Sequence, residues 1–240
     1  GAGGRDEYGA HEHTSAAARA ALERQASVCD TQAATGKDHR SGPLDKVLLV
    51  VIFSWHEHLA ANIPTLMDLW GGVFQNIKCS DTKVPNQPDM IHAPLLREGR
   101  LMYQCTLAAM TQFEGQFEGY LFMGDDVLLN TSYISTLDTS AMWIEPTAIN
   151  LSTSDMTKDG GWFKVWARKK PGGAESAVLL EANSSLASED LAQLKDTGWV
   201  HAKCDIYYFP ASAVAAIRYL APIFLDAKVY FANAVPTMMR

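Results

Sequence analysis

Two adjacent carboxylates, Asp125 and Asp126, stand directly after the apolar segment Tyr120-Leu-Phe-Met123 and a glycine, Gly124. Carboxylates beside a buried strand are costly unless something compensates them. A divalent cation does so. Mg²⁺ or Mn²⁺ prefers hard oxygens and commonly takes one or two carboxylates together with substrate phosphates. Successive strand residues face opposite ways, so both aspartates serve one site only where the chain bends, and Gly124 permits the bend. The plainer alternative is a polar turn. A third carboxylate, Asp205, opens the apolar segment Ile206-Tyr-Tyr-Phe209. It is the candidate general base, or else a strand-edge residue.

Other residues invite the same two-sided reading. Arg97 and Arg100 begin a helical segment, where either could meet phosphates or remain a solvated charge. Ser54 and Trp55 follow the first strand; the indole could stack on a base or pack under a loop. His56-Glu57-His58 and His11-Glu12-His13 alternate imidazoles but bring no third ligand, which disfavours zinc. Trp162 and Trp166 could floor a sugar site or pack in a hairpin.

The elements that must position these residues are legible in the apolar pattern. Val47 to Phe53 is a continuous apolar run, as in a strand buried on both faces of an α/β sheet. Leu59 to Trp70 reads as a helix with Pro64 near its first turn. Val73 to Cys79 reads as a second strand, and residues 80 to 95 as a loop with three prolines. Glu98 to Phe113 is amphipathic, with Leu101, Cys105, Ala109 and Phe113 at helical spacing. Tyr120 to Met123 is a strand that Val127 to Leu129 continues. Residues 161 to 166 read as a short strand, and Ser188-Glu-Asp190 opens a short helix. Asp205 to Phe209 is a strand, after which Pro210 starts a helix with Val214, Ile217, Leu220 and Phe224 on one face. Alternating strands and helices predict parallel pairing. Ligands of such sheets bind beyond the carboxyl ends of the strands, near a switch point. That rule places Phe53 to His58 and Gly124 to Asp126 on one rim.

Residues 1 to 45 are poor in large apolar side chains and read as a stem or linker with one alanine-rich helical stretch, Ser15 to Ala26. Residues 46 to 240 read as the domain. The 240 residues carry 20 Lys and Arg against 27 Asp and Glu, a net charge of −7, which argues against a general nucleic-acid binder. No run approaches the ~18 apolar residues of a membrane span. Gly1 is not a natural start and no leader-like apolar stretch follows it, so the chain reads as an excised or processed segment, with any membrane anchor outside it. Asn130, Asn150 and Asn183 lie in N-x-S/T sequons, an excess that leans towards the secretory route. The four cysteines form no CxxC pair. Cys79 and Cys105 either bond or stay buried and reduced.

Gly119-Tyr-Leu-Phe-Met-Gly-Asp-Asp-Val-Leu-Leu-Asn130 resembles the aspartate-motif strand of nucleotide-sugar glycosyltransferases of the GT-A fold. Lys46 to Trp55 resembles their first nucleotide-binding strand. Cys204-Asp-Ile-Tyr-Tyr-Phe-Pro210 and Ala234-Val-Pro-Thr237 look like the acceptor-side segment of the STELLO-like, exostosin-type group. The resemblance implies a GT-A-like, Rossmann-like mixed and mainly parallel sheet flanked by helices. It implies a metal-dependent Golgi glycosyltransferase that moves a sugar from a nucleotide donor of uridine type to a glycan or protein acceptor. Asp126 would hold Mn²⁺ or Mg²⁺, with Asp125 assisting it or holding the ribose or sugar. Beside it, Ser54, Trp55 and Arg100 stand as the candidates for nucleotide contact and Asp205 as the candidate base.

A rival class is a catalytically weak GT-A-like scaffold, an interaction subunit of a larger assembly or an oligomer. Gly124 stands where the family motif often has an acidic residue, and Asn233 where a carboxylate is expected. The chain ends at Arg240, before the further segment such folds usually carry. An α/β hydrolase is disfavoured because no G-x-S-x-G elbow occurs, and G-x-G-x-x-G and P-loop patterns are absent too.

Overall fold

The computed structural model describes residues 44–53, 63–80, 90–93, 101–144, 149–151 and 199–239, with isolated positions at 188, 189, 192 and 196. These residues belong to a compact unit that begins at Gly42. Ser54, Trp55, Arg97 and Arg100 lie outside the described residues, as do the two His-x-His segments, Trp162 and Trp166.

The apolar run forms β1 (Val47–Phe53), buried at all seven positions. Burying a Val, Leu, Ile or Phe side chain contributes about 1.5–3 kcal/mol, so this strand alone anchors the sheet. Next come α1 (Ile63–Gly71), β2 (Gln75–Ser80), β3 (Met90–His92), α2 (Tyr103–Gln112) and β4 (Gly119–Gly124). The short α3 (Thr131–Ile134) leads to β5 (Trp143–Ile144), β6 (Ile149–Leu151), β7 (Trp199–His201) and β8 (Ile206–Pro210). A 3-10 turn, Ala211–Ala213, then introduces α4 (Val214–Asp226), and α5 (Phe231–Met238) follows.

Six strands form one sheet in the order β3-β2-β1-β4-β8-β5, and β6 pairs with β7 in a second. β1, β2, β3 and β4 are mutually parallel, whereas β8 runs antiparallel to both β4 and β5. The sheet is therefore mixed and mostly parallel, as expected of an α/β fold. The chain winds outward from β1 to β2 and β3, then returns through α2 to β4 on the other side of β1. That reversal makes the gap between β1 and β4 a topological switch point. Ile52 pairs with Gly124, so both strands end level on that rim.

Alternation sorts the strand side chains to the two faces. One face carries Leu48, Val50, Ile52, Tyr120, Phe122, Tyr207 and Phe209 against buried residues of α2, α4 and α5. The other carries Leu49, Val51, Phe53, Leu121, Met123 and Tyr208 with Ile63 and Trp70 of α1 and Ile134 of α3. A disulfide joins Cys79 of β2 to Cys105 of α2 and resolves the choice that the sequence left open.

Several expected boundaries shift. Val73 and Phe74 belong to the turn after α1, both donating to the Trp70 carbonyl, so β2 starts later. Val127 to Leu129 does not continue β4, because the chain turns at the aspartates. Pro210 ends β8 instead of starting a helix: it sits opposite Gly119, and the next residue, Ala211, donates to the Glu118 carbonyl. Strand β3 falls inside the expected proline-rich loop. Helix α5 was hidden by Pro236, which cannot bond the carbonyl four residues back. That carbonyl, of Ala232, instead accepts the Ala202 N–H at 3.0 Å.

Candidate functional site

Gly124 is the last residue of β4, and Asp125 and Asp126 are the two central residues of a turn closed by the Val127 N–H on the Gly124 carbonyl at 3.3 Å. The turn supplies the bend that brings both aspartates to the rim. Asp125 is half-buried, with its Oδ2 shielded from solvent, and Asp126 is exposed. Asp126 folds back over Gly124: a Cβ built on Gly124 would lie 2.9 Å from Asp126 Oδ1. A larger residue at 124 must push that carboxylate aside, which gives the glycine of this motif a local physical role.

Asp205 arrives from the other side. Its carbonyl accepts the Gly124 N–H at 2.9 Å, which pins the start of β8 to the end of β4. Its carboxyl binds a proton more tightly than an ordinary aspartate does. Desolvation is the larger cause, the charge of Asp126 adds to it, and Lys203 opposes both. The sequence-predicted Asp125, Asp126 and Asp205 thus gather at one end of the central strands. Lys203 was missed; its only sequence signal is a position two residues before Asp205. Among the described residues, no group of three or more His, Cys, Asp or Glu side chains could hold a metal ion. Among the described residues, the rim offers the carboxylates of Asp125, Asp126 and Asp205, with the charge of Lys203 acting on Asp205.

The segment leading to Asp205 is held by α5. Val200 of β7 donates to Thr237 Oγ1 at 3.1 Å, and the same hydroxyl donates back to the Val200 carbonyl at 3.3 Å. The Ala202–Ala232 bond lies between them and the rim. Asn233 is buried, and its Oδ1 lies 2.8 Å from His201 Nδ1. An amide oxygen only accepts, so this contact selects the imidazole tautomer protonated at Nδ1. Burial lowers the proton affinity of His201, and the bond to Asn233 partly restores it. Asn233 and the Ala234-Val-Pro-Thr237 segment therefore act as a clip on β7, a role their sequence did not suggest.

Comparison with protein-family models, curated proteins and solved structures finds no match for this chain.

Proposed function

We propose that this chain is a GT-A-like glycosyltransferase that moves a sugar from a nucleoside-diphosphate donor, of uridine type, to a hydroxyl of a glycan or protein acceptor. The observation that carries the reading is the meeting of Asp125, Asp126 and Asp205 where β1 and β4 end at the switch point. Asp126, with Asp125 beside it, would hold Mn²⁺ or Mg²⁺. The ion, when bound, neutralises the diphosphate leaving group. Lys203 places a positive charge near Asp205. Asp205 would accept the proton of the acceptor hydroxyl at a carboxylate oxygen, and its raised proton affinity suits a general base. Ser54, Trp55 and Arg100 remain the candidates for nucleotide contact.

The Cys79–Cys105 disulfide favours an oxidising compartment, which supports placement in the Golgi lumen. The test is calorimetric titration with a panel of nucleoside diphosphates, with Mn²⁺ and again with chelator. Metal-dependent binding of one nucleotide supports the transferase. Absence of binding by folded protein favours the scaffold reading, for which the small donor set and Gly124 speak.

A further inference from the structure

We propose that Asn130 is an N-glycosylation site whose glycan stands at the edge of the acidic rim. Asn130-Thr131-Ser132 is a sequon, and Thr131 at its centre places no proline there. Asn130 is the N-cap of α3, with extended backbone at φ −85 and ψ 90. Both Asn130 and Ser132 are exposed. The cap bond runs from the Tyr133 N–H to Asn130 Oδ1 at 3.1 Å. An N–H donor fixes which amide atom faces the helix, so Nδ2 points away from the cap. Capping and glycosylation use different atoms and can coexist.

The surroundings suit a sugar. Leu128 and Tyr133, 48% and 62% exposed, flank Asn130 and would otherwise present apolar surface to water. The disulfide between Cys79 and Cys105 is an independent mark of passage through an oxidising lumen, where this modification occurs. The other sequons differ in setting: Asn150 lies within β6, opposite Val200 of β7, and Asn183 lies outside the described residues.

The reaction is a group transfer from a lipid-linked pyrophosphate oligosaccharide. The bond from sugar C1 to the pyrophosphate oxygen breaks, and the lipid pyrophosphate leaves with the electron pair. The bond from C1 to Asn130 Nδ2 forms, and Nδ2 loses one proton. No oxidant or reductant is needed. The inference shares a secretory location with the proposed function but is independent of its catalysis.

The test directs the full chain into the secretory lumen of a eukaryotic cell with a cleavable leader. The folded, secreted protein is treated with an amide-cleaving N-glycanase in heavy-oxygen water, and peptide mass spectrometry reads the aspartate left at each occupied site. The expected result is a heavy-oxygen mark at position 130 in most molecules. Ser132→Ala should remove the mark while keeping the Asn130 cap and the melting temperature. Asn130→Asp, which also keeps a capping oxygen, should lower the glycoprotein mass by one glycan. Folded protein without the mark at 130 would overturn the proposal, even if Asn150 or Asn183 were occupied. A mark at 130 on protein that binds no nucleotide would support the glycan and count against the transferase alone.

Discussion

Asp126 lies close enough to Asp205, across the seam between β4 and β8, for its charge to raise the proton affinity of the second carboxyl. Desolvation of Asp205 is the larger cause and acts in the same direction. A carboxyl with a raised folded-state pKa contributes stability that is fully present below its unfolded value and is lost as pH rises through the folded value. Asp205→Asn should therefore flatten the pH dependence of unfolding in the acid range and stabilise the protein slightly at neutral pH. The gain should be less than about 1 kcal/mol, because the site is partly solvated. Carboxyl chemical shifts followed against pH should show the Asp205 midpoint move down in Asp126→Asn. An unchanged midpoint would mean that the two charges do not interact.

The same pair separates binding from chemistry. Asp126→Ala should weaken metal-dependent nucleotide binding about tenfold or more, the equivalent of at least ~1.4 kcal/mol. Asp205→Asn should bind the nucleotide with little change but lose most of its transfer rate, since an amide cannot accept the acceptor's proton. Titration calorimetry and a donor-consumption assay on both variants check this. Equal loss of binding in both would make Asp205 a ligand instead of a base.

How much of this was legible beforehand depends on the range of the interactions involved. β1 announced itself because a strand buried on both faces needs no partner information. The face of α2 was equally plain: Cys105 and Ala109 are buried on it, Leu101 is buried in the turn before it, and Phe113 at its end is partly buried. Asp125, Asp126 and Asp205 were found as strand-end carboxylates, but their convergence depends on β8 pairing antiparallel with β4 across about 85 residues of chain, a separation that local pattern does not encode. Lys203 was invisible for the same reason. Helix α5 was concealed by Pro236, whose disruption is absorbed by a bond from Ala202. Asn233 was read as a missing catalytic carboxylate because its partner, His201, lies 32 residues away.

Gly119 should tolerate no side chain. A Cβ there would overlap the Tyr208 ring and hydroxyl, and that ring stacks on Trp143 at 5.0 Å while its hydroxyl donates to the Thr139 carbonyl at 2.8 Å. Gly119→Ala must displace the ring from both contacts. The expected cost is about 1–3 kcal/mol, the usual scale for overpacking. Chemical denaturation measures it. Tyr208→Phe in the Gly119→Ala background should cost less than in the parent, because the displaced hydroxyl has already lost its bond.

Reduction should destabilise the chain through the Cys79–Cys105 disulfide. Cys79 and Cys105 are 26 residues apart, and closing a loop of that length is worth about 3 kcal/mol in the unfolded state. Both sulfurs are buried, so reductant should act only as the protein opens. Thermal unfolding with and without reductant should differ by several degrees. The same comparison in Cys204→Ala should give the same difference, since Cys204 takes no part in that bridge.

The His201–Asn233 contact should set a second, opposite pH dependence. Burial lowers the His201 pKa, and the Asn233 bond works against that shift. A group with a depressed folded-state pKa contributes stability that is present above its unfolded value and is lost as pH falls through the folded value. Acidification should therefore weaken the β7–α5 clip as the imidazole gains its proton. Asn233→Ala removes the partner of Nδ1 and should cost about 1–3 kcal/mol at neutral pH, the usual penalty for orphaning a buried polar group. Asn233→Asp supplies a carboxylate instead, which should raise the His201 midpoint towards its ordinary value and so shrink the loss of stability on acidification. Imidazole proton shifts in the three proteins, with denaturation curves over the same pH range, separate these effects. A His201 midpoint that ignores residue 233 would show that the 2.8 Å contact does not govern the imidazole.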